Sequence, residues 1–276
     1  MKLNIPSDGT KIGYDGEKLV VPNNPIVPYI IGDGIGIDVT PVMKRVLDYA
    51  VNKAYGNTRE IKWLELYAGS NSEDLYGSIL PKETIEAMKE YRISIKGPLT
   101  TPIGKGHKSI NVRIRQKLDL FACVRPIKYF PGTSTPMAES GLTDMVVFRE
   151  NTEDLYSGIE WEPDSPGAKR IIEFINKELG QSPFRFEKNC GIGIKPVSEE
   201  GTKRLIRMAI DYSLALNKSS ITVVHKGNIM KYTEGAFRDW AYDVVINEYS
   251  GIVQKDNTYI IENSEFNSEI IVKDCI

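Results

Sequence analysis

From Pro25 onward, short apolar runs alternate with longer stretches in which apolar residues recur every three or four positions. The short runs are typical of buried strands and the longer stretches of helices. This alternation predicts an α/β fold, with a mostly parallel sheet and flanking helices. The first unit is a strand at 26–31, a glycine turn at 32–36 and a helix for which Thr40 is a plausible cap and Pro41 the first helical residue.

The same rhythm continues to about residue 251, with one interruption. Between about 154 and 196 it predicts an edge strand at 155–161, a loop at 163–167 and a helix at 168–179, which together indicate a separate subdomain. After 251 the pattern becomes polar, and the sequence stops in an apparent strand that no helix covers. The remaining predicted strands are near 61–67, 93–96, 120–124, 145–149 and 221–225, and the remaining helices near 81–91, 111–118, 199–217 and 233–249.

Composition and charge exclude several classes of protein. The formal net charge is −2 and no block of like charges occurs, so the electrostatic footprint of a nucleic-acid binder is missing. Residues 1–6 lack the apolar core of a signal peptide, and no apolar stretch approaches ~18 residues, so we expect no membrane insertion and a cytoplasmic location. Three widely spaced cysteines predict reduced thiols rather than disulfides or a zinc site.

The glycine cluster at 32–36 invites a dinucleotide-binding interpretation, which the spacing does not support. A GxGxxG motif that starts at Gly32 requires its third glycine where Ile37 stands, and one that starts at Gly34 requires it at Val39. We therefore predict a tight turn from strand to helix and no phosphate-binding loop at this position.

A more informative set combines three arginines with two small polar residues. Asn111 and Arg115 are four residues apart and share a helix face, while Ser109 precedes that helix, where backbone N–H groups favour an anion. Arg125 and Arg149 each follow a predicted strand, where open α/β sheets collect ligands. Guanidinium groups bind carboxylates in bidentate fashion, so the set suits a polycarboxylate. Surface ion pairs are the alternative.

Tyr156 and Lys226 form the second candidate set. A lysine after the apolar strand at 221–225 can be partly desolvated, which lowers its pKa toward that of a usable base, and a tyrosine hydroxyl can deliver a proton. A structural role for each residue is the alternative that the residues alone leave open.

Several long motifs in order resemble the metal-dependent β-decarboxylating dehydrogenases, the isocitrate/isopropylmalate dehydrogenase family, and most closely its bacterial NADP-dependent isocitrate dehydrogenases. The similarity runs from Lys18 to Gly251. Its landmarks are IIGDGIGIDVT at 30–40, KGPLTTP at 96–102, SINVRIRQKLDLFACVRP at 109–126, FRENTEDLYSG at 148–158 and HKGNIMK at 225–231.

The resemblance assigns a role to each candidate residue. Isocitrate is the implied substrate, with Tyr156 and Lys226 in acid–base steps and Thr100 near the nicotinamide end of NADP. A divalent cation, Mg²⁺ or Mn²⁺, is implied, as is a place in the tricarboxylic acid cycle at the glyoxylate bypass. The implied isocitrate ligands are Ser109, Asn111, Arg115, Arg125 and Arg149.

The resemblance also implies a homodimer, formed through a clasp and the small domain, in which Lys226 reaches the neighbouring pocket. Ser109 matches a regulatory phosphorylation site, which makes a cognate kinase a candidate partner. The expected division is 1–120 as the amino-terminal part of the large domain, 121–153 and 199–276 as the small domain, and 154–198 as the clasp.

We further expect the fold to be truncated before the carboxyl-terminal half of the large domain. The metal-binding aspartates and the adenine-binding loop would then follow Ile276, and the chain alone would be inactive. Two alternatives stay open: an inactive dehydrogenase fragment, and an enzyme of the isopropylmalate dehydrogenase type. Ser109 and Asn111 suit a third carboxylate better than an isopropyl group.

Overall fold

The computed structural model describes residues 2–101, 109–180, 184–254, 256 and 258–276. The chain forms two compact units, Met1–Asp119 and Leu120–Ile276. Both combine strands with helices, so the predicted α/β class is confirmed. In the described residues no helix is both long enough and apolar enough to cross a bilayer.

The first unit is built around a three-stranded parallel sheet in the order β4-β3-β5. Its fully buried central strand β3 lies where the sequence predicts it, because an apolar run between turn residues is the pattern of a strand covered on both faces. Residues from the sheet, α3 and α4 form one core. The elements are β1 Gly13–Tyr14, β2 Leu19–Val20, β3 Ile26–Ile30, α1 Gly36–Tyr55, β4 Lys62–Leu66, α2 Ser70–Tyr76, α3 Lys82–Tyr91, β5 Ile95–Lys96 and α4 Ile110–Lys117.

Helix α1 starts earlier than predicted. It begins at Gly36, and Pro41 lies inside it. Thr40 is not the cap, because it is helical and its hydroxyl donates to the backbone carbonyl of Ile31, 2.7 Å away. Pro41 removes one backbone hydrogen bond and its ring crowds the carbonyl one turn back, but the helix continues through it to Tyr55.

The second unit holds the remaining elements. They include two 3₁₀ segments, Ser140–Leu142 and Asp154–Ser157, and a π-helical turn, Lys231–Gly235, that leads into α7. The strands and helices are β6 Ala122–Lys128, β7 Asp144–Glu150, β8 Ile159–Trp161, α5 Pro166–Lys177, β9 Ile192–Ile194, α6 Glu199–Ala215, β10 Ser220–Val224, α7 Ala236–Asn247, β11 Ile252–Val253, β12 Tyr259–Asn263 and β13 Ser268–Cys275.

Antiparallel pairing dominates the second unit, so the mostly parallel arrangement predicted for the chain applies to the first unit. Strands β6 and β7 form one antiparallel ribbon and β8 and β9 another. A four-stranded sheet has the order β10-β13-β12-β11, in which β10 and β13 are parallel. One face of this sheet packs on α6 and α7 and forms the second core.

The polar stretch after Gly251 contains strands that the sequence analysis missed. Strand β12 and the final strand β13 pair over five residues, and β13 also pairs with β10, so the predicted terminal strand lies inside the sheet. It is covered on one face, because Ile270 and Val272 are buried while Ile271 between them is exposed. The predicted edge strand at 155–161 was also partly wrong, since its first half is a 3₁₀ turn. The proposed clasp and small-domain boundaries stay predictions.

Candidate active site

The first group of candidate residues lies at the start of α4. Ser109 immediately precedes this helix, and its hydroxyl oxygen accepts a hydrogen bond from Thr101, at 3.2 Å. Asn111 lies in the first turn, and its buried Oδ1 atom has no hydrogen-bond partner among the described residues. Arg115 follows one turn later on the same face. Because a buried polar atom without a partner is costly, the Asn111 amide is suited to a ligand or a bound water.

Lys96, at the end of β5, belongs with this group and was missed by the sequence analysis. Burial and the nearby Arg115 guanidinium lower the pKa of Lys96, and the opposing attraction of Asp33 is weaker. Its ammonium donates to the Gly97 carbonyl at 2.6 Å. Neither Lys96 nor Arg115 has an ion pair with an acid in the parts of the chain that the structure describes. Two adjacent cations without a paired acid favour an anionic ligand. The sequence signal was a lysine that opens the KGPLTTP motif at the end of a predicted strand.

Thr100 lies on an exposed loop that the glycine turn holds in place. The Asp33 carboxylate accepts the Thr100 amide N–H at 2.9 Å, and the Asp33 amide donates to the Pro98 carbonyl at 2.7 Å. Gly32 has φ +94°, and a Cβ there would lie 2.3 Å from the Pro98 oxygen. The predicted tight turn is confirmed, and its tight packing explains why only glycine fits at Gly32.

Arg125 and Arg149 occupy the β6-β7 ribbon. Arg149 lies next to the carboxyl end of β7, as predicted, but the same prediction for Arg125 was wrong. Arg125 is in the middle of β6, because that strand continues to Lys128. Arg149 pairs directly with Cys123, two residues from Arg125. Paired residues of an antiparallel ribbon share a face, as do residues two apart along a strand. Both guanidinium groups therefore belong to one face of the ribbon.

Tyr156 contacts Arg149. The Arg149 guanidinium carbon lies 4.0 Å from the centre of the Tyr156 ring, which is the geometry of a cation–π contact. Tyr156 belongs to the 3₁₀ turn that follows β7, and its amide donates to the Glu153 carbonyl at 3.2 Å. The turn is possible because Asp154 adopts a left-handed conformation with φ +58°. Two of the candidate residues, Arg149 and Tyr156, are thus in contact within the second unit.

Lys226 follows β10, and its side chain is exposed. The expected partial desolvation was therefore wrong for the single chain, since the lysine lies beyond the strand and outside the sheet. Its backbone is held from both sides. The Lys226 amide donates to Glu234 at 3.1 Å. His225 is buried, and its Nδ1 atom accepts the Gly227 amide at 3.0 Å while its Nε2 atom lies 2.9 Å from Asp274. An exposed ammonium on a rigid turn is free to reach another molecule.

The described residues do not provide a metal site of their own. Within them no group of three or more histidine, cysteine, aspartate or glutamate side chains is placed to hold a metal ion.

Comparison with known proteins gives the class. The family model described as isocitrate/isopropylmalate dehydrogenase matches residues 26–265. The chain belongs to this family of dehydrogenases.

The relatives are more specific. The chain is 53% identical over 278 residues to isocitrate dehydrogenase [NADP] 1 of Colwellia maris, covering 100% of this chain and 67% of the relative. It is 49% identical to the isocitrate dehydrogenase [NADP] of Pseudomonas aeruginosa, with the same coverage. For the protein of that name from Coxiella burnetii the identity is 50%, covering 99% of this chain and 65% of the relative.

Solved structures agree. The isocitrate dehydrogenase of Methylococcus capsulatus superposes with a TM-score of 0.66 at 31% identity, covering 91% of this chain and 60% of that one. The TT0538 protein of Thermus thermophilus gives a TM-score of 0.64 at 28% identity, covering 99% and 49%. The chain thus spans about two thirds of the length of its curated relatives and less of these two structures.

Proposed function

We propose that this chain carries the isocitrate-binding and acid–base residues of an enzyme that oxidises and decarboxylates isocitrate to 2-oxoglutarate and reduces NADP. The observation that carries the proposal is the contact between Arg149 and Tyr156, because it joins a carboxylate ligand to a proton donor. The names of the relatives support the substrate and the cofactor.

Substrate binding depends on the cations. Arg125 and Arg149 share a face of the β6-β7 ribbon, while Arg115 and Lys96 form the second cationic group. Guanidinium groups bind carboxylates in bidentate fashion, and the lysine adds a point charge. Ser109 and Asn111, at the start of α4, add hydrogen bonds beside a helix amino terminus, where backbone dipoles favour an anion. Ser109 and Asn111 suit a carboxylate of isocitrate better than the isopropyl group of isopropylmalate.

Tyr156 and Lys226 move protons in this proposal. Tyr156 delivers a proton to carbon 3 after carbon dioxide leaves, and its stacked Arg149 fixes the plane of the phenol ring. Lys226 is exposed on a fixed turn, so it acts in the pocket of a neighbouring subunit rather than in a desolvated site of its own. The exposed apolar residues Ile159 and Ile194 of the β8-β9 ribbon support dimerisation through the clasp.

The described residues support the proposed cofactor and the proposed metal to different extents. We propose NADP as the hydride acceptor, with Thr100 near its nicotinamide end on the loop that Asp33 anchors. We propose a divalent cation, Mg²⁺ or Mn²⁺, as part of the complete site. The described residues offer no cluster of three or more ligands for this cation. Further proposals are cytoplasmic location, a role at the glyoxylate bypass and regulatory phosphorylation of Ser109.

The test uses residues 1–276 fused to the carboxyl-terminal third of a relative that is about half identical. We expect NADPH formation with isocitrate and Mn²⁺, and loss of this activity in Arg149→Ala. The unfused chain should form no NADPH, because its described residues hold no metal cluster. A folded fusion that oxidises isopropylmalate in preference to isocitrate would overturn the proposal.

A further inference from the structure

The turns that carry Tyr156 and Lys226 both contact the side chain of Lys195. On one side its ammonium lies 3.4 Å from Oδ1 of Asp154, the first residue of the Tyr156 turn. On the other side it forms an ion pair with Glu234, whose second carboxylate oxygen accepts the Lys226 amide. One cation therefore connects the first residue of the Tyr156 turn with the carboxylate that binds the Lys226 amide.

The backbone around Lys195 contributes to the same connection. The Asp154 amide donates to the Pro196 carbonyl at 2.9 Å, and the Ser157 hydroxyl donates to the Ile194 carbonyl at 3.3 Å. Both residues that flank Lys195 thus bind the Tyr156 turn. This arrangement leaves the Lys195 side chain to span the distance to Glu234, which lies in the π-helical turn after Lys226.

The charges in this bridge are matched and largely withdrawn from solvent. The side chains of Lys195 and Glu234 are 22% and 20% exposed. Burial alone would raise the pKa of Glu234, but the Lys195 ammonium and the Lys226 amide outweigh it and lower the pKa. Burial would likewise lower the pKa of Lys195, and its two acidic partners reverse the direction. Both groups are therefore charged near neutral pH, and the bridge is present there.

We propose that Lys195 is a positioning residue that holds the Tyr156 and Lys226 turns in a fixed relation through its contacts with Asp154 and Glu234. The inference rests on the proposed function for the importance of these turns, and the bridge itself can be tested without substrate. In this proposal Lys195 acts through the carboxylates of Asp154 and Glu234, which hold the two turns.

The test measures amide hydrogen exchange in the 276-residue chain by NMR. Lys195→Met removes the ammonium and keeps most of the apolar stem. We expect exchange at the Lys226 amide and at the Asp154 and Tyr156 amides to become about tenfold faster or more, as for loss of a hydrogen bond to a charged group. Lys195→Arg should restore slow exchange at both turns.

Lys203→Met is the matched control. Lys203 is similarly buried, with its side chain 16% exposed, and also pairs with two acids, Asp243 and Glu199, within α6 and α7. Its removal should leave both turns unchanged. If Lys195→Met does not fold, Glu234→Gln and Asp154→Asn each release one turn, and each must speed exchange at its own turn.

Unchanged exchange at either turn in folded Lys195→Met, or equal acceleration in Lys203→Met, would overturn the bridge. The functional consequence is measured separately in the NADPH-forming fusion, where Lys195→Met should lower kcat about tenfold or more with little change in KM for isocitrate. If the bridge is confirmed but Tyr156 and Lys226 prove dispensable for turnover, the proposed function fails and the structural inference stands.

Discussion

Arg149 stacks on Tyr156 with 4.0 Å between the guanidinium carbon and the ring centre. The contact depends on the ring and not on the hydroxyl, so the phenol can be tested without disturbing the arginine. In Tyr156→Phe the ring and its cation–π contact are kept. The proposed proton donor is lost.

We therefore expect Tyr156→Phe, in the fusion, to lower kcat by about 10²- to 10⁴-fold, the range for loss of a general acid. Isocitrate affinity, measured by calorimetry, should change little. Tyr212→Phe is the control, because its ring packs on Phe148 at 5.3 Å, on the other face of β7. Wild-type turnover in Tyr156→Phe would remove this residue from the acid–base role.

Arg125 provides the second prediction. It is exposed on the ribbon face that it shares with Arg149. In Arg125→Ala a bound carboxylate loses its charged partner, which should cost at least about 2 kcal/mol in kcat/KM. Lys128→Ala is the control, since Lys128 lies on the same strand three residues away and its side chain is 64% exposed. Equal effects of the two substitutions would argue against a specific role for Arg125.

The third prediction concerns a negative charge added at Ser109. Asp at this position would place a fixed carboxylate at the start of α4, on the helix that carries Arg115. There it would compete with the substrate anion for the same cations. We expect Ser109→Asp to abolish isocitrate binding in calorimetry, while Ser109→Ala should weaken it only moderately. Undiminished affinity in Ser109→Asp would refute the placement of Ser109 in the pocket.

The sequence predicted well those elements whose burial dictates their composition. Strand β3 is buried on both faces, and its apolar run marks it clearly. Strand β13 was only partly recognised, because alternate residues face solvent: Ile270 and Val272 are buried, while Glu269 and Lys273 make the stretch polar on average. A period of two was present there, but the surrounding polar residues obscured it.

For the candidate site, the sequence predicted less. Motif spacing predicted a set of candidate residues but not their arrangement, because neither strand alone determines whether β6 and β7 run parallel or antiparallel. Only the antiparallel register places Arg125 and Arg149 on one face. Lys96 was missed because the lowering of its pKa depends on burial and on the charge of Arg115, a residue on a separate element. Local patterns do not encode such interactions.

The pH dependence of stability tests the hydrogen bonds of Asp274, which binds His225 directly before Lys226. The hydroxyl of Tyr242 and the ring of His225 bind Asp274 and lower the pKa of its carboxyl, and burial opposes them weakly. The folded pKa thus lies below the unfolded value of about 3.9. The stability from this group is fully present above that pH and is lost as the pH falls through the folded pKa.

Asp274→Asn should therefore lower the urea midpoint at pH 6, and the difference from wild type should shrink on acidification below about pH 4. Asp211→Asn is the matched control, because Asp211 also accepts a tyrosine hydroxyl, that of Tyr249 at 2.6 Å, and lies away from His225. A difference in midpoint that stays constant from pH 6 to pH 3 would contradict the linkage.

The apolar stripe on α1 leads to the last prediction. Val39, Val42 and Val46 recur at helical spacing, and these residues are 51%, 57% and 60% exposed. A contiguous exposed apolar surface favours association. Val46→Lys should therefore reduce self-association of the chain in light scattering. Helicity should be maintained, because lysine is a better helix former than valine.

Asn71→Lys is the control for the added charge. Asn71 is exposed on α2, so this substitution changes the net charge by the same amount without interrupting the stripe. If both substitutions reduced association equally, the effect would come from net charge, which alone can improve solubility. Reduction in Val46→Lys alone, with an unchanged circular dichroism spectrum, identifies the α1 stripe as the surface through which the chains associate.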